Sequence, residues 1–354
     1  MRLAVCYTKL SGYVAACLQA YRALTGAQFL VLALPPGKDA PFDASSFSRL
    51  VEIVDRSQLP VQQMEGLVGS FRPDAVLVSG WVDSGYNRLC RRLKAEGIPV
   101  VAGCDTQWKG SWRQHVAALA APWHVHRFID VLWVTGERQR QLAQALGYRG
   151  ARCWDGFYCC DWERFARKTT EAPCPRERSF LFVGRYVEEK GIRDLAAAYR
   201  IYRTQVGSPW PLVCAGKGGL APLLADVGAD DLGFVQPDRL PALMHEASAF
   251  VLPSRFEPWG VVVQEAAASG LPLIVSEACG AGVHLVREAY NGFVTETGNA
   301  GSLASALVRM HNLGGTEREE FGRRSFELSK QYTPQRWASV FRDGLARFRA
   351  DPTA

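Results

Sequence analysis

Two groups of residues in the second half of the chain have the types and spacing to hold an anionic ligand rich in hydroxyls. The first is Phe182-Val183-Gly184-Arg185-Tyr186-Val187-Glu188-Glu189-Lys190-Gly191. Gly184 allows a tight turn after an apolar run, and Arg185 and Lys190 stand five residues apart on the loop that follows. A guanidinium offers a planar fork and an ammonium a point charge, so together they can clamp a diphosphate. A surface Arg and Lys flanking a helix start have the same spacing. The second group is Pro253-Ser254-Arg255-Phe256-Glu257-Pro258-Trp259-Gly260-Val261, continuing through Glu265 to Gly270. Pro258 and Gly260 mark a helix start and Gly270 its end. The amides near Gly260 and Val261 are then free to bind phosphate. Glu257 and Glu265 lie eight residues apart, at most roughly 12 Å of helical rise. They can therefore hold two parts of one extended ligand, and carboxylates suit paired hydroxyls because they accept several hydrogen bonds. An acid favoured by the helix dipole is the plainer reading of Glu257, and a solvated helix residue that of Glu265.

The first half offers three further loops. Tyr7-Thr8-Lys9-Leu10-Ser11-Gly12-Tyr13 is a first strand-to-helix turn whose small residues are Ser11 and Gly12. Lys9 there is either a charge for a ligand or a solvated lysine. Ser79-Gly80-Trp81-Val82-Asp83-Ser84-Gly85-Tyr86-Asn87 follows an apolar strand. Trp81 and Tyr86 can stack on a sugar ring and Asp83 can bind a hydroxyl, although aromatic residues in such places also build cores. After Val100-Val101-Ala102-Gly103-Cys104, Asp105 is a polar group at a strand end, available to a ligand or as a helix N-cap. Lys109, Arg113 and His115 follow and suit an anionic acceptor. The six histidines show no metal spacing, and no acidic pair of the Asp-x-Asp kind stands at a clear strand end.

These loops need strands to carry them. Short apolar runs at Leu3–Tyr7, Phe29–Leu34, Val51–Val54, Ala75–Ser79, Pro99–Gly103 and Val131–Thr135 alternate with amphipathic segments such as Val14–Leu24 and Tyr86–Glu96. Several runs lack polar alternation, as strands covered on both faces do. The rhythm breaks at Thr169–Glu177, which carries two prolines, and restarts at Phe180–Val183, Leu212–Ala215, Ala249–Leu252 and Leu273–Val275. The expected class is α/β, with two Rossmann-like domains facing a cleft: an N-terminal domain over 1–170 and a C-terminal domain, which carries the two ligand-binding groups, over 178–332. A final helix over 333–354 begins at Pro334. Its stripe of Trp337, Val340, Phe341, Leu345 and Phe348 packs on a domain, the N-terminal one being the candidate.

With 354 residues, 48% of them apolar, the chain can fill two cores. The net charge of +6 is uneven: ten Lys/Arg between Arg88 and Arg149 face four acids, a surplus equal to that of the whole chain. A face of this sign suits an anionic membrane surface or an acidic acceptor, or is an ordinary solvated face. The ten cysteines include no Cys-x-x-Cys pair and read as reduced thiols. No apolar run approaches the length of a membrane span, so a cytoplasmic protein is expected, with peripheral membrane contact as an option.

From about 180 to 300 the chain resembles the C-terminal domain of glycosyltransferase family 4, the retaining nucleotide-sugar transferases of GT-B fold. Glu257-x7-Glu265, Gly184-Arg185 with Lys190-Gly191, Gly216-Lys217-Gly218-Gly219, Asp231-Leu232-Gly233-Phe234-Val235 and Asn291-Gly292-Phe293 carry the resemblance, in the family's order and spacing. It implies that Gly184, Arg185, Lys190, Gly216 and Lys217 lie at the donor diphosphate and that Glu265 binds the ribose. It also implies that Glu257, with Phe256, Pro258, Trp259, Gly260 and Val261, holds the donor sugar, and that Val235 meets the base through its backbone. Ser11 and Gly12 would approach the donor phosphate. Cys104 stands where many members have a histidine, leaving Asp105 for acceptor positioning. The catalytic set expected from the resemblance is Glu257, Arg185, Lys190 and Asp105. The implied reaction is a retaining sugar transfer from a nucleotide-diphosphate donor to a glycan, lipid-linked or small-molecule acceptor. No metal or other cofactor is expected, and no nucleic-acid partner. A GT-B sugar-nucleotide epimerase, a glycogen-type synthase or phosphorylase, and a non-catalytic sugar-nucleotide binder are the alternatives.

Overall fold

The computed structural model describes residues 1–8, 10, 12–35, 53–166 and 178–351. They form two compact units, one of Met1–Cys159 with the C-terminal segment from Pro334, the other of Cys160–Thr333. The segment 169–177 and residues 51–52 of the run 51–54 lie outside the described residues.

The first unit holds seven strands: β1 (Arg2–Tyr7), β2 (Gln28–Ala33), β3 (Ile53–Asp55), β4 (Ala75–Val78), β5 (Val100–Cys104), β6 (Val131–Val134) and β7 (Cys153–Asp155). Their order across the sheet is β3-β2-β1-β4-β5-β6-β7, with every neighbouring pair parallel. Leu3 to Cys6 of β1 and all of β4, β5 and β6 are buried. Such unbroken apolar runs are stable only with helices on both faces. The order reverses direction at β1 and β4, so the loops leaving those two strands border the sheet's switch point.

The helix Pro334–Ala350 closes this unit against the helix Gly12–Thr25, with Phe341 edge-on to Tyr21 at 5.2 Å between ring centroids. Phe341 also stacks on Trp133 and on Trp337, at 5.5 and 5.8 Å. The indoles of Trp133 and Trp337 donate to the carbonyls of Asp155 and Phe157, so these large rings bury no unpaired N–H. A Cβ on Gly344 would come within 2.6 Å of the Trp154 ring, which explains why the helix has no side chain there.

The second unit has six parallel strands: β8 (Phe180–Val183), β9 (Leu212–Ala215), β10 (Asp230–Asp231), β11 (Ala249–Leu252), β12 (Leu273–Ser276) and β13 (Gly292–Thr295). The order is β10-β9-β8-β11-β12-β13, so the switch point falls between β8 and β11. The segments 184–191 and 253–260 leave the C-terminal ends of those two strands, where open α/β sheets gather ligands.

Candidate functional site

In the second unit three loops lie against one another with backbone touching backbone. The amide of Gly184 donates to Ala215, that of Gly216 to Gly233, and that of Tyr186 to Lys217. A Cβ on Gly216 would sit 1.8 Å from the Gly184 carbonyl, and one on Gly218 would sit 2.3 Å from that of Tyr186. Gly191, with φ +71, passes equally close to Pro253. Glycine is required here because no side chain fits between the loops. Tyr186, which sequence reasoning left without a role, ties them further. Its buried hydroxyl donates to Asp231 at 2.7 Å, and Asp231 also accepts from the amide of Gly233 at 2.8 Å. Burial first, and the bond to Asp231 second, push the Tyr186 phenol far above its ordinary range, so it stays a donor. An aromatic residue between Arg185 and the 3-10 turn at Glu188–Lys190 was the signal available.

Lys190 and Glu257, 67 residues apart in sequence, form an ion pair across the switch point. Their side chains are only 17% and 10% exposed, so water screens the pair less than it would at the surface. Ser254 donates to the same Glu257 oxygen at 3.4 Å. Arg185 is exposed and pairs with Glu189 at 3.5 Å. Arg185 and Lys190 therefore differ before any ligand arrives: one is an exposed cation in a surface pair, the other a largely buried cation paired with Glu257.

The loop carrying Glu257 is held at both ends. Arg255 makes a two-pronged contact with Asp194, at 2.7 and 2.8 Å, and the amides of Arg255 and Phe256 donate to the Glu189 carbonyl. Beyond it, the carbonyls of Glu257 and Trp259 accept from the amides of Gly280 and Ala281. A Cβ on Gly280 would lie 2.0 Å from the Pro258 carbonyl. Trp259 is buried against His284 and Tyr332, with ring centroids 5.5 and 5.6 Å apart. Trp259 thus anchors the loop from inside, while Phe256 is exposed and Pro258 partly so. Gly260, at φ +96, turns the chain into the helix Val261–Ala268, whose first amides, those of Val261 and Val262, point out of its N-terminal end. Asp194, Arg255 and Ser254 were missed by sequence reasoning, since their contacts join segments far apart in the chain.

Glu265 lies on that helix. It keeps a little accessible surface, yet its carboxyl is deep among protein atoms, and among the described residues no donor bonds it. Burial, and next the charge of Asp161, push its pKa up to about 7, with Arg164 opposing. Lys217 is exposed and Val235 partly so.

In the first unit, Ser11 lies outside the described residues, and Gly12 opens the helix Gly12–Thr25 with space around it. Asp83 caps the helix Ser84–Ala95 by accepting from the Tyr86 amide at 2.9 Å, and it pairs with Arg56 at 3.3 Å. The expectation that Tyr86 stacks on a sugar is corrected here. Tyr86 is 1% exposed, and its hydroxyl donates to the carbonyls of Leu32 and Tyr7, so it belongs to the core. Trp81 is partly buried and lines a cavity of about 330 Å³ with Thr106, Gln114, His124 and Leu142. Asp105 is exposed and accepts from Tyr158 at 3.2 Å. The next helix starts at Trp112 behind Ser111, so Asp105 is not its cap. Cys104 is buried and its thiol is pushed up to about 12, mainly by burial, which removes it as a nucleophile. Lys109, Arg113 and His115 are exposed, with His115 edge-on to Trp108. Among the described residues no three His, Cys, Asp or Glu side chains cluster as metal ligands, and no helix is long and apolar enough to cross a membrane.

Comparison with known proteins bears on this geometry. Residues 170–327 match the family model described as Glycosyl transferases group 1. Glycogen synthase of Mycobacterium tuberculosis is 29% identical over 233 residues, which is 60% of this chain and 54% of that protein. A GDP-mannose-dependent alpha-mannosyltransferase of Corynebacterium glutamicum is 27% identical over 67% of this chain and 59% of its own length. The chain thus spans between half and two thirds of the length of these relatives. Anabaena HepE, solved in complex with UDP, superposes with a TM-score of 0.76 at 16% identity, over 98% of this chain and all of that one. The segment 170–327 is accordingly similar to group 1 glycosyltransferase domains, and the chain has the GT-B fold.

Proposed function

We propose that this chain is a family 4 glycosyltransferase that moves a sugar from a nucleotide-diphosphate donor to a hydroxyl acceptor with retention of anomeric configuration. The observation that carries this reading is the Lys190–Glu257 pair at the switch point between β8 and β11, beside the amide end of the helix Val261–Ala268. A departing diphosphate gains negative charge, and cations with oriented amides stabilise it in a site shielded from water. On this reading Lys190, Arg185 and those amides do that work without a metal. Glu257 holds the sugar hydroxyls and Glu265 the ribose. Asp105, Lys109, Arg113 and His115 are the residues we assign to the acceptor, a glycan, a lipid-linked glycan or a small molecule.

The first test is thermal unfolding against UDP, GDP, ADP, CMP, dTDP and their sugar forms. A ligand at about 100 times its Kd adds about 2.7 kcal/mol to the unit that binds it. A rise in midpoint with one diphosphate, lost in Arg185→Ala and in Glu265→Ala, supports the donor site and identifies the base. Release of that nucleotide only when an acceptor is added then separates transfer from epimerisation. A folded sample that responds to no nucleotide overturns the assignment.

A further inference from the structure

The helix Trp112–Ala120 has no buried residue, although four large apolar side chains lie on it and on the turn behind it. Trp112 is 71% exposed, Val116 55%, Leu119 76% and Trp123 76%. Trp112, Val116 and Leu119, four and three residues apart, share one stripe of the helix, and Trp123 ends the 3-10 turn Ala121–Trp123 that follows it. The helix has nine residues, and isolated helices shorter than about 12–15 are marginal in water. It is seated over the cavity lined by Gln114, Ala117, Ala120, Leu142 and Leu146, so its inward side is also incompletely packed. Charge adds a second observation. Between Asp105 and Asp130 the sequence contains no acid, but it contains Lys109, Arg113, Arg127 and three histidines. Lys109 and Arg113 are exposed, and the Arg113 guanidinium lies 5.5 Å from the Trp112 ring centroid.

We infer that this segment docks on an anionic lipid surface. Trp112, Val116, Leu119 and Trp123 enter the interface between headgroups and acyl chains, and Lys109, Arg113 and Arg127 meet the lipid phosphates. Tryptophan prefers such an interface because its ring is apolar and its N–H is polar. A second copy of the chain is the less favoured occupant. A two-fold contact through this stripe would set two copies of a basic segment together with no acid between Asp105 and Asp130 to offset the charge. A bilayer of anionic lipid presents the opposite sign. The inference shares Lys109 and Arg113 with the acceptor assignment, but it uses no donor-site residue and needs no turnover, so vesicle binding tests it separately from donor binding.

The test is co-sedimentation of the full chain with vesicles of phosphatidylcholine, and with vesicles in which about a third of the lipid is phosphatidylglycerol. Binding to the anionic vesicles is expected, with weaker binding to the neutral ones. A several-fold loss is expected when NaCl is raised from about 0.1 M to about 1 M and the screening length falls from about 10 to about 3 Å. The paired change Leu119→Ser with Trp123→Ser should lower partitioning by about a hundredfold while leaving the unfolding midpoint in place, because both side chains are already exposed. No binding to anionic vesicles by the unmodified, folded chain overturns the proposal. So does equal binding to both vesicle types, or a dimer in solution that the paired change abolishes.

Discussion

Replacing Glu265 by glutamine should make the protein more stable at alkaline pH while weakening its hold on nucleotide. Burial has moved this carboxyl from an ordinary 4.5 up to about 7. Between those values the folded state keeps a proton that the unfolded chain has released. Stability is therefore fully present below pH 4.5 and declines as pH rises through about 7. Each pH unit corresponds to 1.36 kcal/mol, so the interval from 4.5 to about 7 gives about 3 kcal/mol as an upper bound. The little surface that Glu265 keeps lets water screen the charge, which lowers the expected cost to about 1–2 kcal/mol. The amide of Glu265→Gln cannot ionise and escapes this cost. Urea unfolding of both proteins, without ligand, should give equal stability near pH 4.5 and an advantage of about 1–2 kcal/mol for Glu265→Gln at pH 8. A nucleoside diphosphate should reverse the ranking, because an ionised carboxylate accepts from both ribose hydroxyls and an amide oxygen does so less strongly. For the unmodified chain, affinity should rise as pH passes through about 7. Any titration of the ligand phosphate appears in both proteins and cancels in the comparison. Identical pH–stability curves would refute the claim that Glu265 is held ionised against its environment. A shared affinity profile would remove it from the ribose site.

Two other changes probe different parts of the fold. Glu257→Gln leaves the Lys190 ammonium without its anionic partner and the sugar without a charged acceptor. Turnover should fall about 10²–10³-fold while nucleotide-diphosphate affinity changes little, and a proportional loss of both would place Glu257 at the diphosphate instead. Gly344→Ala puts a methyl group within 2.6 Å of the Trp154 ring. Denaturant unfolding should show a loss of about 1–3 kcal/mol, with the nucleotide-induced shift unchanged because the clash lies in the first unit.

How much of this was legible in the sequence depended on whether the deciding interactions were local. Strands β4, β6, β8 and β11 were readable because each is a short apolar run between helices, the pattern a doubly covered parallel strand imposes. Strands β7 and β10 were not, since β10 has two residues, both exposed, and β7 ends in an exposed aspartate. The glycines at 184, 191, 216 and 260 could be marked as turns. That Gly216 and Gly191 exist to let one loop pass 2 Å or less, in Cβ terms, from another is a fact about neighbouring strands. The same limit explains the misreading of Tyr86. Its place after a strand fits a sugar platform, but its hydroxyl reaches Leu32, 54 residues away, and that partner turns it into core. Lys190 and Glu257 show the limit at the site itself. Each had a role on the strength of its own loop, as a phosphate cation and as a sugar-binding acid. Only the order β8-β11, which places strands distant in sequence side by side, makes them partners before a ligand arrives. On the proposed donor-site reading, a ligand that takes both must break or share that bond, so the pair would favour ligands supplying an anion for Lys190 and hydroxyls for Glu257 together. A sugar nucleotide carries both groups, whereas inorganic phosphate and a free sugar each carry one.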